Sequence, residues 1–185
     1  GVLRHYSNWG LADKRSLSFG HGPMNTNLAQ LARAYLVFAN EGSIPSLKLF
    51  KNDKTTDNLQ QVFSPESTRR IAEILDSAAS DNGSGYRAVI DGYSVAGKTG
   101  TAEMVIDGKY NKDGAKRTYF IGFSPAKNPK YIMAVRLDYP KKCFVSWDPT
   151  MRNRCEGSNS AAMAFQKAMK RILINDPEIK SKFEG

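Results

Sequence analysis

Histidine and cysteine are scarce in this chain, two of each in 185 residues, and neither a metal site nor a cofactor is expected from them. No apolar run approaches the ~20 residues that a membrane-spanning helix needs. Gly1 opens without the basic, apolar and small-residue succession of an export leader, so the chain itself is expected to carry neither signal peptide nor membrane anchor. Internal repeats and low-complexity segments are also missing. The formal charge of +9 lacks the company that would make it a nucleic-acid footprint: the basic residues are scattered and no recognised nucleic-acid motif accompanies them. No nucleic-acid partner is therefore expected, and a solvated basic surface accounts for the charge. What remains is globular composition, 41% apolar and 24% charged, in a length sufficient for one domain with a real core.

The most informative stretch is Gly97-Lys98-Thr99-Gly100-Thr101-Ala102, which reads as part of one strand from Val95 to Ile106. Alternate side chains of a strand face opposite ways, so Lys98 and Gly100 share one face and Thr99 and Thr101 the other. An ammonium and two hydroxyls suit an anionic ligand, and Gly100 removes the side chain that would keep a substrate off the strand. A free strand edge can also bond a peptide-like ligand by adding it as a further strand. On its own a Lys-Thr-Gly tripeptide is weak evidence, and an ordinary edge strand with an exposed lysine would read the same way.

Gly1 to Lys14 shows no period and reads as irregular chain, and Ser18 to Pro23 reads as a turn punctuated by glycine and proline. His21 in that turn is expected to pack or bond locally rather than to titrate in catalysis. Thr26 is placed to cap a helix running to about Glu41, with Leu28, Leu31, Ala32, Tyr35, Leu36 and Ala39 on its apolar face and Gly42 as the stop. A short strand is expected at Leu47 to Phe50 and a polar loop at Asn52 to Asn58. Ser64, with Pro65 at the first helical position, opens a second helix whose buried stripe is Ile71, Ile74, Leu75 and Ala78. Strands at Val95 to Ile106, Arg117 to Phe123 and Lys130 to Leu137 follow with short connections, which imply antiparallel neighbours. Asp107-Gly108 is a two-residue turn signal, and Ser158 or Ser160 begins a last helix to about Ile174 that covers the sheet through Ala161, Phe165, Ala168, Met169 and Ile172. The fold class is α/β (α+β): an antiparallel sheet flanked by helices.

Lys-Thr-Gly is one of three motifs of the penicillin-binding proteins and their β-lactamase relatives, with Ser-x-x-Lys and Ser-Asp-Asn. Here it lies in Tyr93-Ser-Val-Ala-Gly-Lys-Thr-Gly-Thr-Ala-Glu103, followed by Thr118-Tyr-Phe-Ile-Gly-Phe-Ser-Pro-Ala-Lys-Asn-Pro-Lys-Tyr131 and preceded by Ser18-Phe-Gly-His-Gly22 and Asn27-Leu-Ala-Gln-Leu-Ala-Arg-Ala-Tyr35. Four separated motifs in order are more specific than one. From about Ser18 to about Ile174 the chain resembles the C-terminal half of the transpeptidase domain of a class B penicillin-binding protein of the septal type. That resemblance implies a partial penicillin-binding fold over residues 1–185, with the nucleophile-bearing N-terminal part upstream.

Two look-alike motifs inside the chain do not supply the missing parts. Ser124-Pro-Ala-Lys127 spells the nucleophile motif in a proline-bounded turn, where serine and lysine cannot stand one helical turn apart. Ser80-Asp81-Asn82 precedes Lys98 too closely for the family's second motif, and Gly83 and Gly85 mark a loop. The resemblance implies that Lys98 orients and protonates groups beside the absent serines. It also implies that Thr99 and Thr101 bind the substrate carboxylate, with Gly100 letting the substrate lie against the strand, and that the Thr101 N–H forms part of an oxyanion hole. Glu103 and Met104 depart from the basic pair of some septal relatives. Phe144 and Trp147 fall where the family lines the cleft rim, or else pin a loop onto the core. Since such a protein folds where disulfides persist, Cys143 and Cys155 are expected to pair.

The implied activity is a peptidoglycan D,D-transpeptidase, with stem peptides as substrates, β-lactams as covalent inhibitors and division-complex membrane proteins as candidate partners. Its implied location is the periplasmic face of the bacterial inner membrane. A serine β-lactamase or β-lactam sensor of the same fold, and a non-catalytic scaffold module, are the alternatives.

Overall fold

The structure is a computed structural model and describes residues 1–22, 24–48, 50, 59–110, 115–141, 143 and 155–179. Its centre is a three-stranded antiparallel sheet of β5 (Ala96–Glu103), β8 (Lys116–Ser124) and β9 (Tyr131–Asp138), in the order β5-β8-β9. Before it come β1 (Val2–Leu3), α1 (Leu11–Leu17), β2 (Met24–Asn25), α2 (Leu28–Ala39), β3 (Ser43–Ile44), β4 (Gln60–Gln61) and α3 (Pro65–Ala78). A small hairpin of β6 (Val105–Ile106) and β7 (Lys109–Tyr110) follows β5, and α4 (Ala161–Ile174) closes the order. The three main strands and the antiparallel α+β class agree with the sequence reading.

Register sorts the sheet into two faces. Thr99 lies opposite Phe120 and Phe120 opposite Val135, whereas Ala96 lies opposite Phe123 and Phe123 opposite Ile132. The Phe120 face meets α4 through Phe165, Met169 and Leu173, all fully buried, together with Ala88, Ile90 and Val95. On the opposite face Phe123 and Ala96 are covered by Leu75 of α3 and by Tyr35 and Phe38 of α2. The Phe120 ring stacks at a tilt on Phe165, with centroids 4.6 Å apart. A Cβ at Gly97 would stand 2.7 Å from that Phe120 ring, and one at Gly122 3.0 Å from it, so both glycines make the slot in which the ring lies.

The local signals explain most boundaries, with several corrections. The α2 cap is Asn27 rather than Thr26: Asn27 Oδ1 accepts from the Gln30 N–H at 2.8 Å while Gln30 Oε1 accepts from the Asn27 N–H, a reciprocal box that outcompetes a hydroxyl one residue earlier. Gly42, with φ +94°, ends the helix as expected. Val37 is the fully buried residue of α2, and Leu28 is exposed. Residues 1–14 are not wholly irregular. The Asp13 carboxylate accepts the Gly10 N–H at 3.0 Å and starts α1, a helix with no buried residue and hence no apolar period to read. A short strand lies at Ser43–Ile44, paired with Gln60–Gln61; of the strand expected at Leu47 to Phe50, residues 47, 48 and 50 are not extended into a ladder and position 49 lies outside the described residues. The expected loop at Asn52 to Asn58 lies outside the described residues.

In α3 the Ser64 cap and Pro65 stand as expected. Its buried residues are Thr68 and Leu75, whereas Ile71 and Ile74 are exposed by 39% and 60%, because the helix leans on the sheet through a face one position round from the most apolar one. The α4 stripe likewise runs through Ala161, Ala162, Phe165, Met169 and Leu173, leaving Ala168 exposed and Ile172 half-buried. The strand expected from Val95 to Ile106 breaks after Glu103, and the Asp107-Gly108 signal makes the tight β6–β7 turn, both residues having positive φ.

Lys130 ties the end of α4 back to β9 by ion pairs to Asp176 and Glu178, and the Tyr131 hydroxyl donates to Asp176. These bonds, Lys130 first, hold the Asp176 carboxyl at about 2, below the ordinary carboxylate value of about 3.9, and raise Lys130 above its ordinary range. Asp138 at the far end of β9 is also held at about 2, by Arg136 and then Arg117.

Two predictions follow from this packing. Phe165→Ala should cost about 3–5 kcal/mol in denaturant unfolding, and a loss of under about 1 kcal/mol would show that the Phe120 slot is not central. A carboxyl with a lowered folded pKa adds stability above its unfolded value, and that stability is lost as pH falls through the folded one. The stability gap between the parent and Asp176→Asn should therefore narrow as pH drops from about 4 to about 2. Parallel melting curves over that window would contradict the assignment.

Candidate active site

β5 begins inside the core and ends outside it. Ala96 is fully buried, Gly97 is closed over by Phe120, and from Lys98 onward the strand opens to solvent along its free edge. Lys98 is the first side chain past that boundary. Its Nζ lies 3.3 Å from Ser84 Oγ, 3.1 Å from Thr99 Oγ1 and 3.2 Å from the Thr99 carbonyl. A carbonyl can only accept, so Lys98 is oriented as a donor, and each hydroxyl it meets has its own proton free for a third group.

Ser84 was not visible as a site residue in the sequence. The loop from Ser80 to Gly85 folds back on the end of α3: the Gly85 N–H donates to the Ala78 carbonyl at 2.8 Å, and a Cβ at Gly83 would stand 2.3 Å from that same oxygen. Only a glycine fits there, and the fold-back carries Ser84 to Lys98. The Gly83-Ser84-Gly85 bracket is the signal for this fold-back that the sequence carries.

Thr101 faces the α4 side, and its Oγ1 accepts the Gly157 N–H at 2.9 Å. Gly100 lies opposite Tyr119, whose Cβ would be 3.3 Å from a Cβ at position 100, so this glycine serves cross-strand packing. The structure places Lys98, Thr99, Gly100 and Thr101 in succession along β5 and sets Ser84 beside Lys98 and Gly157 beside Thr101. Phe144 and Trp147 lie outside the described residues. Cys143 and Cys155 are joined in a disulfide.

Both look-alike motifs prove structural. Ser80 Oγ donates to the Ser77 carbonyl at 2.7 Å at the end of α3. Ser124 is buried, and its Oγ donates to the Ser94 carbonyl at 2.7 Å in the turn between β8 and β9. Among the described residues no group of three or more His, Cys, Asp and Glu side chains could hold a metal ion, and no helix is long and apolar enough to cross a membrane.

The site region is thus an antiparallel sheet covered by helices on both faces, with a lysine and two threonines on an exposed edge strand. Residues 1–170 match the family described as the penicillin binding protein transpeptidase domain, and the chain belongs to that family. Relatives include the peptidoglycan D,D-transpeptidase FtsI of Buchnera aphidicola subsp. Baizongia pistaciae, 36% identical over 94% of this chain and 29% of the relative. The FtsI of Escherichia coli is 34% identical over 76% of this chain and 24% of its own length. The apo transpeptidase domain of Burkholderia pseudomallei penicillin-binding protein 3 superposes with a TM-score of 0.76 at 30% identity, over 97% of this chain and 52% of that one. The chain thus spans about a quarter to a third of the curated relatives it matches.

Because Lys98 is exposed and its bonds lie at the strand edge, Lys98→Ala should change unfolding stability by no more than about 0.5 kcal/mol. A larger loss would make it a structural residue.

Proposed function

We propose that this chain is the substrate-binding half of a peptidoglycan D,D-transpeptidase, acting with a nucleophile-bearing half that precedes it in the natural protein. The observation that carries the reading is the exposed Lys98-Thr99-Gly100-Thr101 edge, with its ammonium and hydroxyls already set as hydrogen-bond partners, in a chain of the transpeptidase family. A stem peptide lies along the β5 edge by adding a strand, its terminal carboxylate met by the Thr99 and Thr101 hydroxyls and the Lys98 charge. A serine from the preceding half attacks the carbonyl of the penultimate D-alanine, and the terminal D-alanine leaves. The acyl group then passes to an amine of a neighbouring stem. The Thr101 N–H stabilises the tetrahedral oxyanion, a donor worth roughly 3 to 4 kcal/mol of barrier. Lys98 beside the serines helps the proton transfers. β-Lactams acylate the same serine. The protein works at the periplasmic face of the inner membrane, held by an anchor outside this chain, with division-complex membrane proteins as its partners.

The serines beside Lys98 and in the look-alike motifs lack the surroundings of the nucleophile: Ser84 meets a lysine oriented as donor, and Ser80 and Ser124 serve turns. The 185-residue chain incubated with a labelled penicillin should therefore show no covalent adduct by intact mass. The full-length protein should be acylated, and its Lys98→Ala variant acylated at least ~10²-fold more slowly. An adduct on any serine of this chain, or normal acylation of a folded Lys98→Ala protein, would overturn the reading.

A further inference from the structure

The turn that precedes α4 makes contacts that the proposed reaction does not yet use. Gly157 is buried against β5: a Cβ there would stand 2.7 Å from the Gly100 carbonyl oxygen, 2.8 Å from that of Tyr119 and 3.0 Å from the Gly100 nitrogen. The residue at this position must be a glycine for the chain to come so close. Its N–H donates to Thr101 Oγ1, and its carbonyl accepts the Ala162 N–H at 2.8 Å.

The turn is held from three sides. Ser160 Oγ lies 2.9 Å from the buried Thr118 Oγ1 and also meets the Glu156 carbonyl. Asn159 Oδ1 accepts the Glu156 N–H at 2.6 Å. Two residues before Gly157, buried Cys155 is bridged to Cys143, five residues beyond the end of β9. The bridge, the turn and α4 therefore fix one amide against one threonine hydroxyl.

A threonine hydroxyl has one proton and two lone pairs. With a lone pair taken by the Gly157 amide, the Thr101 proton cannot turn back toward Gly157 and is left for a group on the exposed side. Thr99 is treated alike, its Oγ1 accepting from Lys98. Two hydroxyl donors whose rotors are set before a ligand arrives cost no reorganisation when a carboxylate binds.

We propose that Gly157 is a positioning residue for Thr101, held in place by the Cys143–Cys155 bridge, and that it confers preference for ligands bearing a carboxylate. This rests on the transpeptidase reading above. Gly157 is proposed to act through the Thr101 hydroxyl, to which its N–H donates. Its loss should therefore change which ligands are accepted more than how fast the serine reacts.

Two measurements test it. In the 185-residue chain, hydrogen exchange at the Gly157 amide should quicken in Thr101→Val and stay slow in Thr101→Ser, which keeps the oxygen. Equal exchange in Thr101→Val and the parent would overturn the contact. In the full-length protein, acylation is compared between a penicillin with a free carboxylate and its methyl ester. The parent should favour the acid, and Gly157→Ala should lower the acid-to-ester ratio about tenfold or more, the effect of one hydrogen bond to a charged group. The Cys143→Ser/Cys155→Ser double variant should lower it in the same direction while Thr101→Ser retains it. A folded Gly157→Ala protein with the parental ratio would overturn the positioning role and leave the transpeptidase reading intact. A parent that is not acylated by either compound would overturn both, whatever the exchange data show of the bond.

Discussion

The seat of one aromatic ring governs the arrangement of this molecule. Phe120 is fully buried, stacked on Phe165, over a floor where Gly97 and Gly122 have no side chains to hold it off. Packing in a protein interior leaves little slack, so the two glycines and the two rings determine together how closely α4 approaches the sheet. Once α4 is seated, the turn before it has no freedom to stand away from β5, and Gly157 comes to rest on Gly100. The exposed part of the site thus inherits its geometry from the buried part.

The same strand serves both. β5 carries core residues at Val95 and Ala96, a packing glycine at 97, and then the charged and hydroxylic residues from Lys98 onward, so the motif straddles the border between interior and solvent. The border is what makes the edge useful. A side chain with its backbone anchored in a sheet and its tip in water keeps its direction at little cost in entropy, and β5 is the edge strand of its sheet. Elsewhere charges pair with one another, Asp138 being shared between Arg117 and Arg136 and Asp176 meeting Lys130. Lys98 contacts only neutral partners among the described residues.

Sequence alone determined what depends on short-range chemistry. The three long strands, the Ser64 cap with Pro65, the Gly42 stop, the Asp107-Gly108 turn and the Lys98-Thr99-Gly100-Thr101 edge could all be read directly. Each follows from backbone preferences or alternation over a few residues. The pairing of Cys143 with Cys155 followed from the environment that the family resemblance implied. What tertiary structure decided was which apolar residues are covered: Leu75 and not Ile74 in α3, Leu173 and not Ala168 in α4, Val37 and not Leu28 in α2. A helical period shows that a face exists, but the angle at which the helix docks chooses the residues on it. Ser84 and Gly157 reach the site across 14 and 56 residues of chain, and no local preference encodes an approach of that kind. Their place at Lys98 and Thr101 is decided by a loop folding over α3 and by α4 closing on the Phe120 ring, contacts that exist only once the whole sheet has been assembled.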